Sequence, residues 1–404
     1  MTAKPVKRRA LPKRLFVAFV SLLLADQLLL YTVLSDGILL GNSVAPFAQP
    51  LFSARQRAIF AKCEAQITKD PARFEREAQF DAELGWCPPR DGRHGEAEFD
   101  WAGSRLGPEP LPRERDGSWM IGLVGCSFTL GSEVEDEETW AYELDVRWKE
   151  TRIGNFGVGG YGVDQALLRY RRDVAPLEPD EVWLGFFPHA ALRASSRFPP
   201  LFARWRAPTL LFKPRFALDS AGELVLQPSP ARTPEDIVRL VRDPAAFLEA
   251  LEGDPWIARA PAAYLPHGRH WTHHSAFTRV LLTLYERRGR AVPPLLAEES
   301  SELFRLHRAL VLALAGEVRA AGARFRMLVL PSRNELEELT RTGAGYWQPL
   351  ARSLEASGIE VLDLTEKLLA AGVDQGDPFW MPEGHYSPRT NRLVAAAIAE
   401  VWSE

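Results

Sequence analysis

The chain has 404 residues, of which 46% are hydrophobic and 25% charged, a composition that excludes disordered, collagen-like and multi-span membrane proteins. Its formal net charge of −4 gives no reason to expect nucleic-acid binding. The length predicts two domains or one large one, and three cysteines cannot build a disulfide framework.

The N-terminus concentrates the positive charge. Residues 1–14 hold six basic residues and no acidic one, which leaves 43 basic and 53 acidic residues for the rest of the chain. The next 20 residues, Leu15–Leu34, are apolar except for Asp26 and Gln27, and as a helix they would span about 30 Å, the thickness of a bilayer core. The positive-inside rule therefore predicts a single-pass signal anchor with a cytoplasmic N-terminus and an extracytoplasmic body, periplasmic in a Gram-negative cell. A cleaved signal peptide and a buried soluble helix are the alternatives, and Asp26 would be costly inside a membrane.

The cysteines could form a disulfide, and the histidines could bind a metal ion. Export would permit disulfides, so Cys63 and Cys87 either pair or remain two thiols. A histidine cluster in PHGRHWTHH matches no familiar zinc spacing and has no nearby cysteine; it comprises His267, His270, His273 and His274. We therefore predict a polar loop beside the substrate cleft at this cluster, and neither a metal site nor a cofactor.

The sequence pattern changes after residue 117, where predicted strands begin to alternate with predicted helices. Residues 35–117 are mixed, and we predict that they connect the anchor to a domain spanning 118–404. Five short apolar runs bounded by turn residues predict strands: Trp119–Gly125, Arg152–Phe156, Glu181–Phe187, Arg324–Leu330 and Glu360–Leu364. Helical stretches alternate with these runs, which predicts a parallel α/β sheet covered on both faces. An insertion at about 190–300, with a hairpin at 216–227, interrupts the alternation.

Three motifs carry candidate chemistry. The first two directly follow predicted strands, whose carboxyl ends are where ligands bind in such sheets, and the third precedes the last predicted helix. Gly125–Gly131 (GCSFTLG) places Ser127 at a turn into a helix, as a nucleophile or as a plain N-cap. Asn155–Gly162 has four glycines in six residues, which suits a phosphate loop or an oxyanion-binding N–H. It lacks Walker spacing, which disfavours a nucleotide-binding protein. Glu383–Pro388 (EGHYSP) offers a carboxylate and a general base, or a surface histidine at a helix entry.

These motifs, in this order, resemble the SGNH (GDSL-like) hydrolase superfamily, and within it the membrane-anchored bacterial acylhydrolases and the polysaccharide O-acetyltransferase-like proteins. The resemblance covers residues 118–192 and 322–402 in four segments: GCSFTLGSEVEDEETW, NFGVGGYGVDQALL, WLGFFPHAAL and EGHYSPRTNRLVAAAI. It implies a three-layer α/β/α flavodoxin-like SGNH fold of about five parallel strands. It also implies Ser127 as nucleophile and oxyanion donor, Gly160 as second oxyanion donor, His385 as general base and Glu383 as the carboxylate that orients it.

The sequence departs from the family pattern at four positions. Cys126 replaces the usual aspartate of the first segment, and we predict that it packs on the far side of the turn. His189 and Ala190 replace the asparagine and aspartate of the third segment. His189 either donates a hydrogen bond to the oxyanion in place of asparagine or marks a weakened oxyanion hole. Glu383 is one methylene longer than the usual aspartate.

Two functions follow from the sequence. The first is an extracytoplasmic serine esterase or acyltransferase, held to the membrane by its N-terminal helix, that acts on small-molecule or polysaccharide O-acyl esters. The resemblance suggests O-acetylated polysaccharide as a substrate and a membrane-bound acyltransferase as a partner. The second is a non-catalytic polysaccharide-binding or assembly protein with a degenerate site. Neither function involves nucleic acid.

Overall fold

A five-stranded parallel sheet forms the centre of the computed structural model, which describes residues 13–35, 37–40, 42–45, 54–201, 211–258, 271–288, 292–373, 376 and 378–402. Its strands are β1 (Trp119–Gly125), β2 (Thr151–Asn155), β3 (Glu181–Phe186), β4 (Arg324–Val329) and β5 (Glu360–Asp363). They lie in the order β5-β4-β3-β1-β2, and all neighbouring pairs are parallel. This is the flavodoxin-like order, so the predicted fold class and all five predicted strands are confirmed.

Helices cover both faces of the sheet. In β3, Val182 and Leu184 face one side and contribute to a core that includes Leu310 of the long helix Glu302–Ala320. Trp183 faces the other side, in a core with Leu144. The described α-helices are Lys13–Thr32, Ala54–Lys69, Pro71–Glu77, Ser127–Leu130, Trp140–Arg147, Val163–Arg169, Pro234–Arg242, Pro244–Ala250, Pro255–Ala258, Ala276–Arg288, Val292–Ala297, Glu302–Ala320, Arg333–Thr342, Gln348–Glu355, Thr365–Ala370 and Pro388–Val401.

The N-terminal helix, Lys13–Thr32, contains a stretch, Leu15–Thr32, that is long and apolar enough to cross a membrane. Almost all of this stretch is exposed, and Leu30 is its one buried residue. The structure therefore gives no support to the alternative of a soluble core helix. The orientation of the helix in a membrane stays a prediction.

The segment before residue 118 is folded and packs against the sheet. It forms two short hairpins, Phe80–Asp81 with Gly85–Trp86 and Gly92–His94 with Ala97–Phe99. Arg105 then pairs with Asn155 at the end of β2 through an antiparallel bridge. Apolar side chains of this segment share one core with the sheet: Phe74, Leu84, Trp86 and Leu111. The folded domain thus begins well before the predicted boundary at residue 118.

The insertion is also built onto the domain. Its predicted hairpin is confirmed as Arg215–Leu218 paired with Leu224–Gln227. Lys213 forms an ion pair with Asp164 of the helix after β2, and both side chains are fully buried. Moving the insertion away would leave the other charge buried without a partner, which is strongly destabilising. The pair therefore holds the insertion against the helix that follows β2.

Asp145 makes the stability of the fold depend on pH. Its carboxylate accepts the backbone N–H of Ile153 on β2 at 3.2 Å, and burial raises the pKa of Asp145 to about 7. The folded state therefore keeps a proton that the unfolded chain releases near its ordinary pKa of 3.8. The contribution of this group to stability is complete below about pH 4 and is lost as the pH rises to about 7.

We predict that Asp145→Asn removes this loss, because the amide keeps the acceptor and cannot ionise. Urea unfolding of the full chain in detergent should show the variant gaining stability relative to the unaltered protein as the pH is raised from about 4 to about 7. A difference in unfolding free energy that stays constant across this range would contradict the assignment.

Candidate active site

Ser127 lies directly beyond the carboxyl end of β1. Cys126 is extended, and Ser127 is the first residue of the short helix Ser127–Leu130. Ser127 is only 6% exposed, and neither its hydroxyl nor its backbone N–H bonds to a residue that the structure describes. Cys126 is buried and lines a narrow gap with Tyr161, Ala166 and His307. The serine at the central strand end thus keeps both of its polar groups available.

A buried arginine holds the loop that follows this helix. Arg105 donates to the carbonyls of Leu130 at 3.0 Å, Gly131 at 2.5 Å and Val134 at 2.6 Å. Its Nε also donates to the Asp136 carboxylate at 2.6 Å. Because four acceptors around one loop share a single planar guanidinium, the loop between Leu130 and Asp136 has a defined shape.

This loop presents Glu133 to His385. The Nδ1 atom of His385 lies 2.6 Å from Glu133 Oε2, and both side chains are mostly buried, at 18% and 16% exposure. Glu133 adopts a left-handed backbone with φ +70°, a strained conformation for a residue with a side chain. When Nδ1 donates to the carboxylate of Glu133, the neutral imidazole keeps a lone pair on Nε2. The ring centroid of His385 lies 5.3 Å from that of Phe128, the neighbour of Ser127.

Glu383 does not take the place that the sequence suggested. The carboxylate at His385 Nδ1 belongs to Glu133, and Glu383 meets the same carboxylate through its backbone N–H, at 2.8 Å. The reason is a tight turn in which Met381 N–H donates to the His385 carbonyl and Gly384 has φ +97°. This turn leaves Glu383 exposed.

The glycine-rich loop packs against the serine turn. A Cβ at Gly157 would lie 2.5 Å from the backbone nitrogen of Leu130, so only glycine permits this approach. The next residue, Val158, donates its N–H to the carbonyl of Gly125 at 3.1 Å. The loop after β2 and the turn after β1 are therefore fixed relative to each other.

Trp86 fixes the far end of the glycine-rich loop. Its indole Nε1 donates to the carbonyl of Gly159 at 2.8 Å. Its carbonyl accepts the hydroxyl of Tyr161 at 2.5 Å. Between them Gly160 has φ +84°, and its N–H is not bonded to any residue in the described part of the chain. Sequence reasoning missed Trp86, because nothing in the sequence links residue 86 to this loop.

His189 follows β3 on the same edge of the sheet. Its side chain is 54% exposed, and Nδ1 lies 4.0 Å from Oε1 of the buried Glu335. Its ring centroid lies 6.0 Å from that of Phe187. The structure places His189 at the open side of the site, and its role as an oxyanion donor stays a prediction.

The remaining candidates are cysteines and histidines. Cys63 and Cys87 are free thiols, and the Cys87 sulfur accepts a hydrogen bond from Arg172 at 3.2 Å. Within the histidine cluster, His273 is buried and His274 exposed, whereas His267 and His270 lie outside the described residues. Among the residues described, no three His, Cys, Asp or Glu side chains are grouped to hold a metal.

Comparison with known proteins gives similarity in structure only. No protein-family model matches the sequence, and no curated protein matches it. The structure is similar to a lipolytic protein of the G-D-S-L family from Desulfitobacterium hafniense, at 11% identity and a TM-score of 0.35 over 70% of this chain and 100% of that one. An acetyl xylan esterase gives the same values. An acetylxylan esterase from Geobacillus stearothermophilus gives 12% identity and a TM-score of 0.36 over 71% of this chain and 95% of that one. At these TM-scores the similarity says nothing about the site.

Proposed function

We propose that this protein is a membrane-anchored, extracytoplasmic serine esterase or acyl-transfer enzyme that acts on O-acyl esters. The observation that supports this most is the carboxylate–imidazole pair of Glu133 and His385. The His385 ring lies 5.3 Å from that of Phe128, the residue that follows Ser127 at the end of the central strand. A hydroxyl, an imidazole and a buried carboxylate are the three groups that acyl transfer through serine requires.

In the first step Ser127 Oγ attacks the ester carbonyl carbon while its proton passes to His385 Nε2. Glu133 holds the ring in the tautomer with a proton on Nδ1 and stabilises the imidazolium that forms. The C–O bond to the alcohol then breaks, and the alcohol leaves with the proton from His385. An acyl group remains on Ser127.

The tetrahedral intermediate carries a negative oxygen that needs hydrogen-bond donors. The N–H groups of Ser127 and Gly160 are proposed as these donors, because both are unpaired within the described structure. Trp86 and the contact of Gly157 with Leu130 hold the second donor in place. His189, open to solvent on the same edge, is proposed as a third donor.

In the second step water or a hydroxyl acceptor gives its proton to His385 and attacks the acyl carbon. The bond from that carbon to Ser127 Oγ then breaks, and Oγ takes the proton back from His385. Water gives an esterase and a sugar hydroxyl gives a transferase. The resemblance of four sequence segments to polysaccharide O-acetyltransferase-like proteins favours O-acetyl polysaccharide as the substrate and a membrane-bound acyltransferase as a partner.

The second candidate function is non-catalytic polysaccharide binding or assembly. The replacement of the family's asparagine by His189 favours it, because one lost oxyanion donor costs about two to three orders of magnitude in rate.

Labelling with a fluorophosphonate separates the two functions. We predict that the full chain in detergent is labelled and that Ser127→Ala is not, because the probe phosphonylates only an activated serine. Ser132→Ala is the matched control in the same loop and should label like the unaltered protein. Equal labelling of Ser127→Ala, or none of the unaltered protein, would overturn the enzymatic function and favour the non-catalytic one.

The identity of the carboxylate is tested by two amide variants. Glu133→Gln should lower kcat for p-nitrophenyl acetate by about four orders of magnitude, as when the carboxylate of a serine triad becomes an amide. Glu383→Gln should leave the rate close to that of the unaltered protein, because that residue meets the site through its backbone N–H. A larger loss in Glu383→Gln than in Glu133→Gln would reverse the assignment.

A further inference from the structure

A second apolar helix lies against the N-terminal helix. Ala276–Arg288 belongs to the insertion, and its Ala276 packs in one small core with Leu30, Leu34 and Val44. The face of this helix that points away from the small core is apolar and exposed. Four side chains form that face: Phe277 (66% exposed), Leu281 (48%), Leu284 (49%) and Tyr285 (71%). Their spacing places them on one side of the helix.

The two helices are joined by polar contacts at the level of Asp26. The Asp26 carboxylate accepts the N–H of Phe277 at 2.9 Å and the Ser275 hydroxyl at 3.1 Å. The neighbouring Gln27 donates to the carbonyl of His274 at 2.8 Å. The two polar residues that interrupt the apolar N-terminal stretch are therefore the ones that hold the start of the second helix.

The middle of the second helix is tied to the chain that leaves the N-terminal helix. Arg279 donates to the carbonyl of Ala45 at 2.6 Å and to that of Leu34 at 3.3 Å. The Thr283 hydroxyl accepts the Ala45 N–H at 2.9 Å. The second helix thus runs from the level of Asp26 outward past Leu34.

We infer that Ala276–Arg288 is a second membrane-embedded helix, which enters the outer leaflet beside the anchor and holds the catalytic domain against the lipid. This inference rests on the membrane anchoring in the proposed function. Asp26 precedes the end of the anchor at Thr32 by six residues, or about 9 Å. The start of the second helix therefore lies inside the hydrocarbon, whose half-thickness is about 15 Å.

Lipid is the occupant that this surface fits. The helix that bears this face packs against the anchor helix at Leu30, and the anchor itself exposes Leu22, Leu24 and Leu28 at 71%, 66% and 64%. A carboxylate within the membrane is costly unless it is paired, and the start of the second helix supplies that pairing. Tyr285 is a residue type that is enriched at the membrane–water interface. In the sequence it is followed by the charged residues Glu286, Arg287 and Arg288, and arginine side chains near helix ends reach toward that interface. The apolar face thus ends where the interface is expected.

Quenching by brominated lipid tests this placement. A coumarin-bearing amino acid replaces one residue at a time in the full chain, reconstituted in phosphatidylcholine vesicles with acyl chains brominated at mid-depth. The labelled positions are Phe277 and Tyr285 on the second helix, Leu28 on the anchor, and Val225, 46% exposed, on the hairpin of the insertion. Aromatic labels at Phe277 and Tyr285 are conservative, so two independent positions report on the same face.

We expect the label at Phe277 to be quenched as strongly as that at Leu28, the label at Tyr285 less, and the label at Val225 not at all. Quenching at Leu28 with none at Phe277 and Tyr285 would overturn the second helix as a lipid contact and leave a protein partner for its face. An absence of quenching at Leu28 as well would overturn the anchor and this inference together. Neither result bears on the fluorophosphonate test of ester chemistry.

Discussion

The contact between the Glu133 carboxylate and the imidazole of His385 is the interaction on which the proposed chemistry depends. It joins residues 252 positions apart, so it exists only when β1, the last helix and everything between them have folded together. Glu133 is held in a left-handed backbone by the loop that Arg105 clamps. The strained backbone of Glu133 is thus held by the buried guanidinium of Arg105, which lies in the segment before β1.

The parallel sheet could be predicted from sequence because each buried strand is a short apolar run with turn residues at both ends. Ser127, Gly160 and His385 are candidates because their segments resemble a known pattern, and their catalytic roles stay predictions. Glu133 could not be predicted. Its carboxylate sits in an acidic run that reads as the start of a helix, and its position depends on a positive φ and on Arg105, neither of which a sequence pattern reveals. Glu383 was closer to the histidine along the chain, but the turn at Gly384 directs it outward.

The domain limits were predicted less well for a related reason. Hydrophobic periodicity identifies strands and helices, yet it does not show that Trp86 packs on a glycine loop or that Lys213 is buried against Asp164. Such contacts make the segment before β1 and the insertion parts of one core with the sheet. The same insertion carries the apolar helix Ala276–Arg288, which lies against the N-terminal helix. The two helices that we propose to contact lipid are therefore built on the same domain as the candidate site.

The most direct measurement of the central claim is the site of covalent acylation. The full chain is mixed with excess p-nitrophenyl acetate and quenched in acid during turnover. It is then digested, and the masses of its peptides are measured by mass spectrometry. We expect an acetyl group on Ser127, as the proposed acyl-enzyme requires. An acetyl group on another residue, such as the adjacent Cys126, or on none, would contradict it.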